Sequence, residues 1–146
     1  MKNSKAILFN ILGVILGAVG GTLIYFFAEW IFFDLIPCIP FIPMLISWPV
    51  DYEWYALTGA LCVDIFTGIG ICAYFCNLVE TKINYGVLIL TVINVLRYLS
   101  GFIMNIIANG FAFSLLFVYG LAFIGIFVAA SAIENEGKRS VYEDET

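Results

Sequence analysis

The sequence predicts an all-α integral membrane protein, a four-transmembrane-helix bundle with both termini on the cytoplasmic side. Three observations lead there. The 146 residues are 63% hydrophobic and 12% charged, whereas soluble domains carry ~25% charged residues, and a globule of this size cannot hide so much apolar surface from water. The apolar residues fall into four stretches, about 6–28, 54–78, 85–108 and 111–133, each long enough to cross ~30 Å of hydrocarbon, which takes ~20 helical residues. Finally, Lys2, Lys5, Lys82, Lys138 and Arg139 all fall at one end of a four-span arrangement, while Glu29, Asp34, Asp51 and Glu53 mark the other. Basic residues set orientation, so the basic end is the cytoplasmic one. The whole chain reads as a single membrane domain, and the pattern leans toward a bacterial plasma membrane.

Span 1 opens after Lys2 and Lys5, like a secretory signal, but its 22-residue apolar run from Ala6 to Phe27 exceeds the ~7–15-residue core of such signals. An uncleaved first span is expected. Gly13, Gly17 and Gly21 recur at steps of four within it. Such glycines let a second backbone approach closely, which is how helices associate where lipid removes the hydrophobic drive. The partner is either a neighbouring span or a second protein.

Residues 29–53 form the proline-rich external connection between spans 1 and 2. Within it "IPCIPFIPMLISWPV" (36–50) carries Pro37, Pro40, Pro43 and Pro49 and no charge. Proline at every third position suits a polyproline II course, which cannot cross lipid because its backbone groups are unpaired. Trp30, Trp48, Tyr52, Trp54 and Tyr55 favour the headgroup level. This interfacial segment is expected to lie along the outer surface or cap the bundle's mouth; a short broken helix among the prolines fits either.

Span 2 places Ala56, Ala60, Asp64, Gly68, Cys72 and Cys76 at steps of four, a face of small residues that winds slowly around a 3.6-residue helix. Span 3 carries Thr91, Asn94, Arg97, Gly101, Asn105 and Ala108 at steps of three or four. Each stripe holds one ionisable residue at membrane depth, where a charge costs at least ~2.5–3.5 kcal/mol on insertion scales and marks a functional candidate. Counting from the outer ends, Asp64 and Arg97 lie about 15 and 16 Å deep at ~1.5 Å per residue. A salt bridge between them is expected, with Asn94 and Asn105 extending a ligand path along span 3. The turn Asn109-Gly110 is expected to close spans 3 and 4 into a hairpin, and the polar tail 134–146 to be loose.

Catalysis finds little support. The chain has no histidine, the commonest general base and metal ligand, and no nucleophile-elbow, zinc-protease or phosphate-loop motif. No metal and no cofactor is expected. Six basic residues make no phosphate footprint, which excludes nucleic acid. Four cysteines, Cys38, Cys62, Cys72 and Cys76, raise a membrane thiol oxidoreductase as a weak alternative, but their spacing gives no CxxC motif, and small packing residues are the plainer reading. The leading expectation is a small non-enzymatic subunit that assembles with another membrane protein or with itself in the lipid bilayer. The alternative is an oligomeric transporter or channel for an ion or small polar ligand, built on Asp64, Arg97, Asn94 and Asn105.

Overall fold

A computed structural model describes residues 2–39, 41–46, 50–79 and 84–144, with side chains between 4 and 133 of these. It is all-helical among the described residues, with α1 Lys2–Trp30, α2 Phe41–Leu45, α3 Tyr52–Asn77, α4 Tyr85–Asn109 and α5 Phe113–Asp144. Four helical stretches, Ser4–Cys38, Tyr52–Asn77, Tyr85–Asn109 and Phe113–Ile133, are long and apolar enough to cross a membrane. Their outward surfaces carry Ile, Leu, Val and Phe side chains, as a lipid solvent requires.

Helix α1 runs antiparallel to α3, and its three glycines set the contact. A methyl group at Gly13 would lie 2.9 Å from the Cys72 carbonyl oxygen, one at Gly17 would lie 2.5 Å from the Gly68 carbonyl oxygen, and one at Gly21 would lie 2.6 Å from Asp64 Oδ1. The partner of the glycine face is thus the chain's own second span. The α3 face that receives it is the stripe of small residues, with Ala56, Ala60, Asp64, Gly68, Cys72 and Cys76 all buried. All four cysteines are free; Cys72 and Cys76 are buried, while Cys38 is exposed and remote in role from a Cys38–Cys62 disulfide.

On the other side of α3, Tyr55 stacks edge-on against Phe117 at 5.3 Å between ring centroids, and Cys62 lies beside Gly125. The paired numbers rise together, so α3 and α5 are parallel. Among the described residues Gly110 (φ +79°) is the one position of positive φ; it ends α4, and its N–H bonds back to the Ile106 carbonyl at 2.9 Å. Asn109 stays helical, so the tight turn needs only the glycine.

Three parts depart from the sequence reading. The first span does not stop near residue 28. It continues through a wide π-helical turn, Ile31–Leu35, and a 3-10 turn, Ile36–Cys38. The described part of the proline segment is therefore helical turns, not polyproline II: Pro37 sits in the first turn of Ile36–Cys38 and Pro43 is the third residue of Phe41–Leu45. In a first turn the missing proline N–H has no intrahelical acceptor to lose. Pro40, Trp48 and Pro49 lie outside the described residues. The tail is not loose to its end, because α5 extends to Asp144.

The close approach predicts a sharp contrast. Gly17→Leu should lower stability by at least ~1–3 kcal/mol, the usual cost of overpacking, because backbone blocks the new side chain. Gly70→Ala, on the same α3 but with nothing within 4 Å, should leave it unchanged or raise it by up to ~1 kcal/mol. Thermal unfolding in detergent, followed by circular dichroism, measures both.

Candidate functional site at mid-span

Asp64 is the thirteenth residue of the 26 in α3, and Arg97 is the thirteenth of the 25 in α4. Both sit halfway along their helices, about 18 Å from either end at ~1.5 Å per residue. The structure brings them together, with Arg97 Nη1 3.1 Å from Asp64 Oδ2. The same carboxylate oxygen accepts a 2.8 Å hydrogen bond from the Tyr98 hydroxyl, and the Arg97 guanidinium carbon lies 5.3 Å from the Tyr98 ring centroid. Adjacent residues on α4 thus grip one oxygen from two directions, while Gly21 of α1 presses against the other.

Burial of the pair is lopsided. The Asp64 side chain is 6% exposed and that of Arg97 is 46% exposed. A carboxylate this deep needs a charge partner, since an uncompensated buried charge is strongly destabilising. Arginine carries five N–H donors, and among the described residues only Nη1 has a protein partner. The rest of the guanidinium faces a cavity of about 170 Å³ between α1, α3 and α4. Gly17 and Gly68 lie at its base, Leu90 and Ile93 on its flank, and Asp64, Asn94, Thr22 and Arg97 supply its polar atoms.

The remaining predicted site residues divide. Asn94 is buried and lines this cavity. Asn105 does not join it: its amide donates to the Gly101 carbonyl at 2.9 Å and to the Tyr119 hydroxyl oxygen at 3.0 Å. Helix α5, tied to α4 by the turn at 110–112, is what lies opposite α4 at that level, so the polar stripe of span 3 meets two different neighbours. A path joining Asn94 to Asn105 is not formed.

Two participants escaped sequence reasoning. Tyr98 reads as one more aromatic residue until its neighbour Arg97 is known to need company. Asn10 is buried between α1, α3 and α4, at the end where α4 begins. Its side-chain oxygen accepts from the Gly86 N–H at 2.7 Å and from the Cys76 thiol at 3.4 Å, and its amide donates to the Ala6 carbonyl at 2.7 Å. The Gly86 N–H belongs to the first turn of α4, where no intrahelical acceptor exists, so α1 caps α4 across space. A lone asparagine in an apolar span was the available signal.

At the far end, the π turn leaves the Phe32 carbonyl to accept a 2.7 Å hydrogen bond from the Tyr52 hydroxyl, and the Phe32 ring lies against Gly59. The underside of α2, through Ile42 and Ile46, closes an apolar recess of about 120 Å³ there. Among the described residues no group of three or more His, Cys, Asp or Glu side chains could hold a metal. No protein-family model, curated protein or solved structure matches the chain.

The triad predicts a non-additive mutant cycle. Arg97→Leu alone strands the carboxylate and should cost at least ~2.5 kcal/mol. The double variant Asp64→Asn, Arg97→Leu should be more stable than Arg97→Leu, because the uncompensated charge is gone. Denaturation midpoints of the single and double variants in one detergent check this.

Proposed function

We propose that the protein is a small non-enzymatic membrane subunit, held in a bacterial plasma membrane with both termini in the cytoplasm, that assembles with another membrane protein through its outer proline-rich segment. The observation that carries this reading is helix α2. Phe41, Met44 and Leu45 are exposed at 73%, 84% and 82%, and no residue of the helix is buried. Its other face, Ile42 and Ile46, sits over the apolar recess at the α3 start, which fixes the direction in which the large side chains project. Aromatic and methionine side chains presented together are the residue types enriched at protein contacts.

The absence of a free glycine face sharpens the proposal. Gly13, Gly17 and Gly21 are spent within the chain, so self-association through them no longer motivates assembly, and the outer segment remains as the docking surface. The orientation is supported by the five basic residues at the end that carries both termini and the 82 loop.

A second reading, a small oligomeric transporter, is favoured by one observation: the mid-span cavity holding Asp64, Asn94 and Arg97. The two readings separate on assembly. Natively expressed chain, solubilised in mild detergent and sized with its lipid belt, should run as a complex heavier than itself. Substituting Phe41, Met44 and Leu45 together by serine should release it as a free, folded chain. A wild-type chain that is already monomeric overturns the subunit proposal. So does a complex that the triple variant leaves intact.

A further inference from the structure

Hydrogen-bond accounting singles out the mid-span cavity. Four polar residues are buried among the described ones: Asn10, Thr58, Asp64 and Asn94. Three are satisfied within the protein. Asn10 has Gly86, Cys76 and Ala6, Thr58 donates to the Trp54 carbonyl at 2.8 Å, and Asp64 has Tyr98 and Arg97. Asn94, only 7% exposed, has no side-chain partner among the described residues. No buried side-chain nitrogen or oxygen is fully enclosed without a partner, so the Asn94 amide opens onto the cavity it lines. A buried amide without a partner costs roughly 1–3 kcal/mol, which an occupant of the cavity would recover.

The occupant's chemistry follows from what is left over. Arg97 offers four N–H groups beyond the one on Asp64 and Asn94 offers two, by the standard inventory. Against them stand the Asn94 carbonyl and the Thr22 hydroxyl oxygen, whose proton is given to the Ala18 carbonyl at 2.8 Å. Donors are in excess, so the ligand must be an acceptor. Arg97 and Asp64 cancel in charge, and a net charge brought to the middle of the hydrocarbon would stay uncompensated, so the ligand is uncharged. Phospholipid headgroups lie too far from this depth to supply it. Ala18, Ile93 and Arg97 at the cavity's edge are exposed on the outer surface of the bundle, so entry is sideways, from the lipid.

We propose that the cavity between α1, α3 and α4 binds an uncharged, membrane-dissolved ring compound bearing carbonyl oxygens, of the quinone type, with one carbonyl accepting from Asn94 and Arg97 and the apolar tail leaving past Ile93. The size agrees. A cavity of roughly 150 Å³ takes one benzene ring, and this one measures about 170 Å³. The site is built from the glycine contact itself, because Gly17 and Gly68 contribute no side chain to fill the space. This inference goes beyond the subunit reading and does not rest on it; a monomeric chain could bind the same ligand.

The test uses the full chain in lipid nanodiscs with a short-tailed benzoquinone carrying a photoreactive diazirine. Saturable labelling within residues 18–22 of α1 and 90–97 of α4 is expected, competed by the same quinone without the diazirine. Asn94→Leu, which leaves the Asp64–Arg97–Tyr98 triad in place, should weaken binding about tenfold, the equivalent of one hydrogen bond at ~1.4 kcal/mol. Ala18→Phe, at the exposed edge, should block it without touching the core. Labelling that never saturates, or is equal in wild type and both folded variants, overturns the proposal. Tighter competition by a fatty-acid carboxylate than by the quinone overturns it as well, since the site would then take an anion. A cross-link from position 18 to a co-purified membrane helix would mean that a side chain, not a free ligand, fills the space, and also overturns it.

Discussion

The contact on which everything else depends is the close passage of two backbones, α1 against α3, at Gly17 and Gly68. Lipid offers these helices no hydrophobic reason to associate, so dispersion between closely packed surfaces must hold them. That requires a groove with no side chain in it on one helix and small side chains on the other. The stripe from Ala56 to Cys76 answers the stripe from Gly13 to Gly21. Once the register is set, Asp64 is carried against Gly21, and its carboxylate can point only toward α4. The ion pair is a consequence of the packing as much as a cause of it.

Polar contacts then pin the bundle at three levels. Near the end where α4 begins, Asn10 joins α1, α3 and α4 through a backbone amide and a thiol. At mid-span the carboxylate of α3 is held by adjacent residues of α4. At the opposite end the Tyr52 hydroxyl takes up a backbone carbonyl that the π turn presents. In a low-dielectric solvent each such group is costly alone and binding when paired, so three well-spaced ties fix both the rotation and the vertical offset of long, otherwise greasy rods. The half-exposed Arg97 is the exception, and its unspent donors are what distinguish the middle level from the other two.

The four spans were legible because composition and length leave a bilayer few alternatives. Asp64 and Arg97 were legible as a pair because depth can be counted along a helix, and two opposite charges at one depth have little else to bind. Asn105 shows where counting stops. It shares a face of α4 with Asn94, yet α5 rather than α3 stands opposite it, and no periodicity in α4 reports which neighbour lies where. Asn10 was hidden for a similar reason: its partner is a backbone amide, which has no letter in the sequence. The proline segment misled through its spacing. A proline every third residue suggests an extended course, but Pro37 and Pro43 each occupy the opening turn of a short helix, where the ring is tolerated.

The π turn at Ile31–Leu35 bears on how this chain can change over time. Such a turn amounts to a helix with one residue more than its regular form needs, and here the surplus arrives just where the first span gives way to the outer segment. Removing any single residue from that stretch would let the helix relax into ordinary winding and swing all that follows by roughly 100°. Ile42 and Ile46 would then leave their recess over α3, and the Phe32 carbonyl would turn inward to its own helix. The aim of the outer segment is thus encoded in one extra residue, a trait that can be gained or lost by a single codon insertion or deletion without altering any side chain in the bundle.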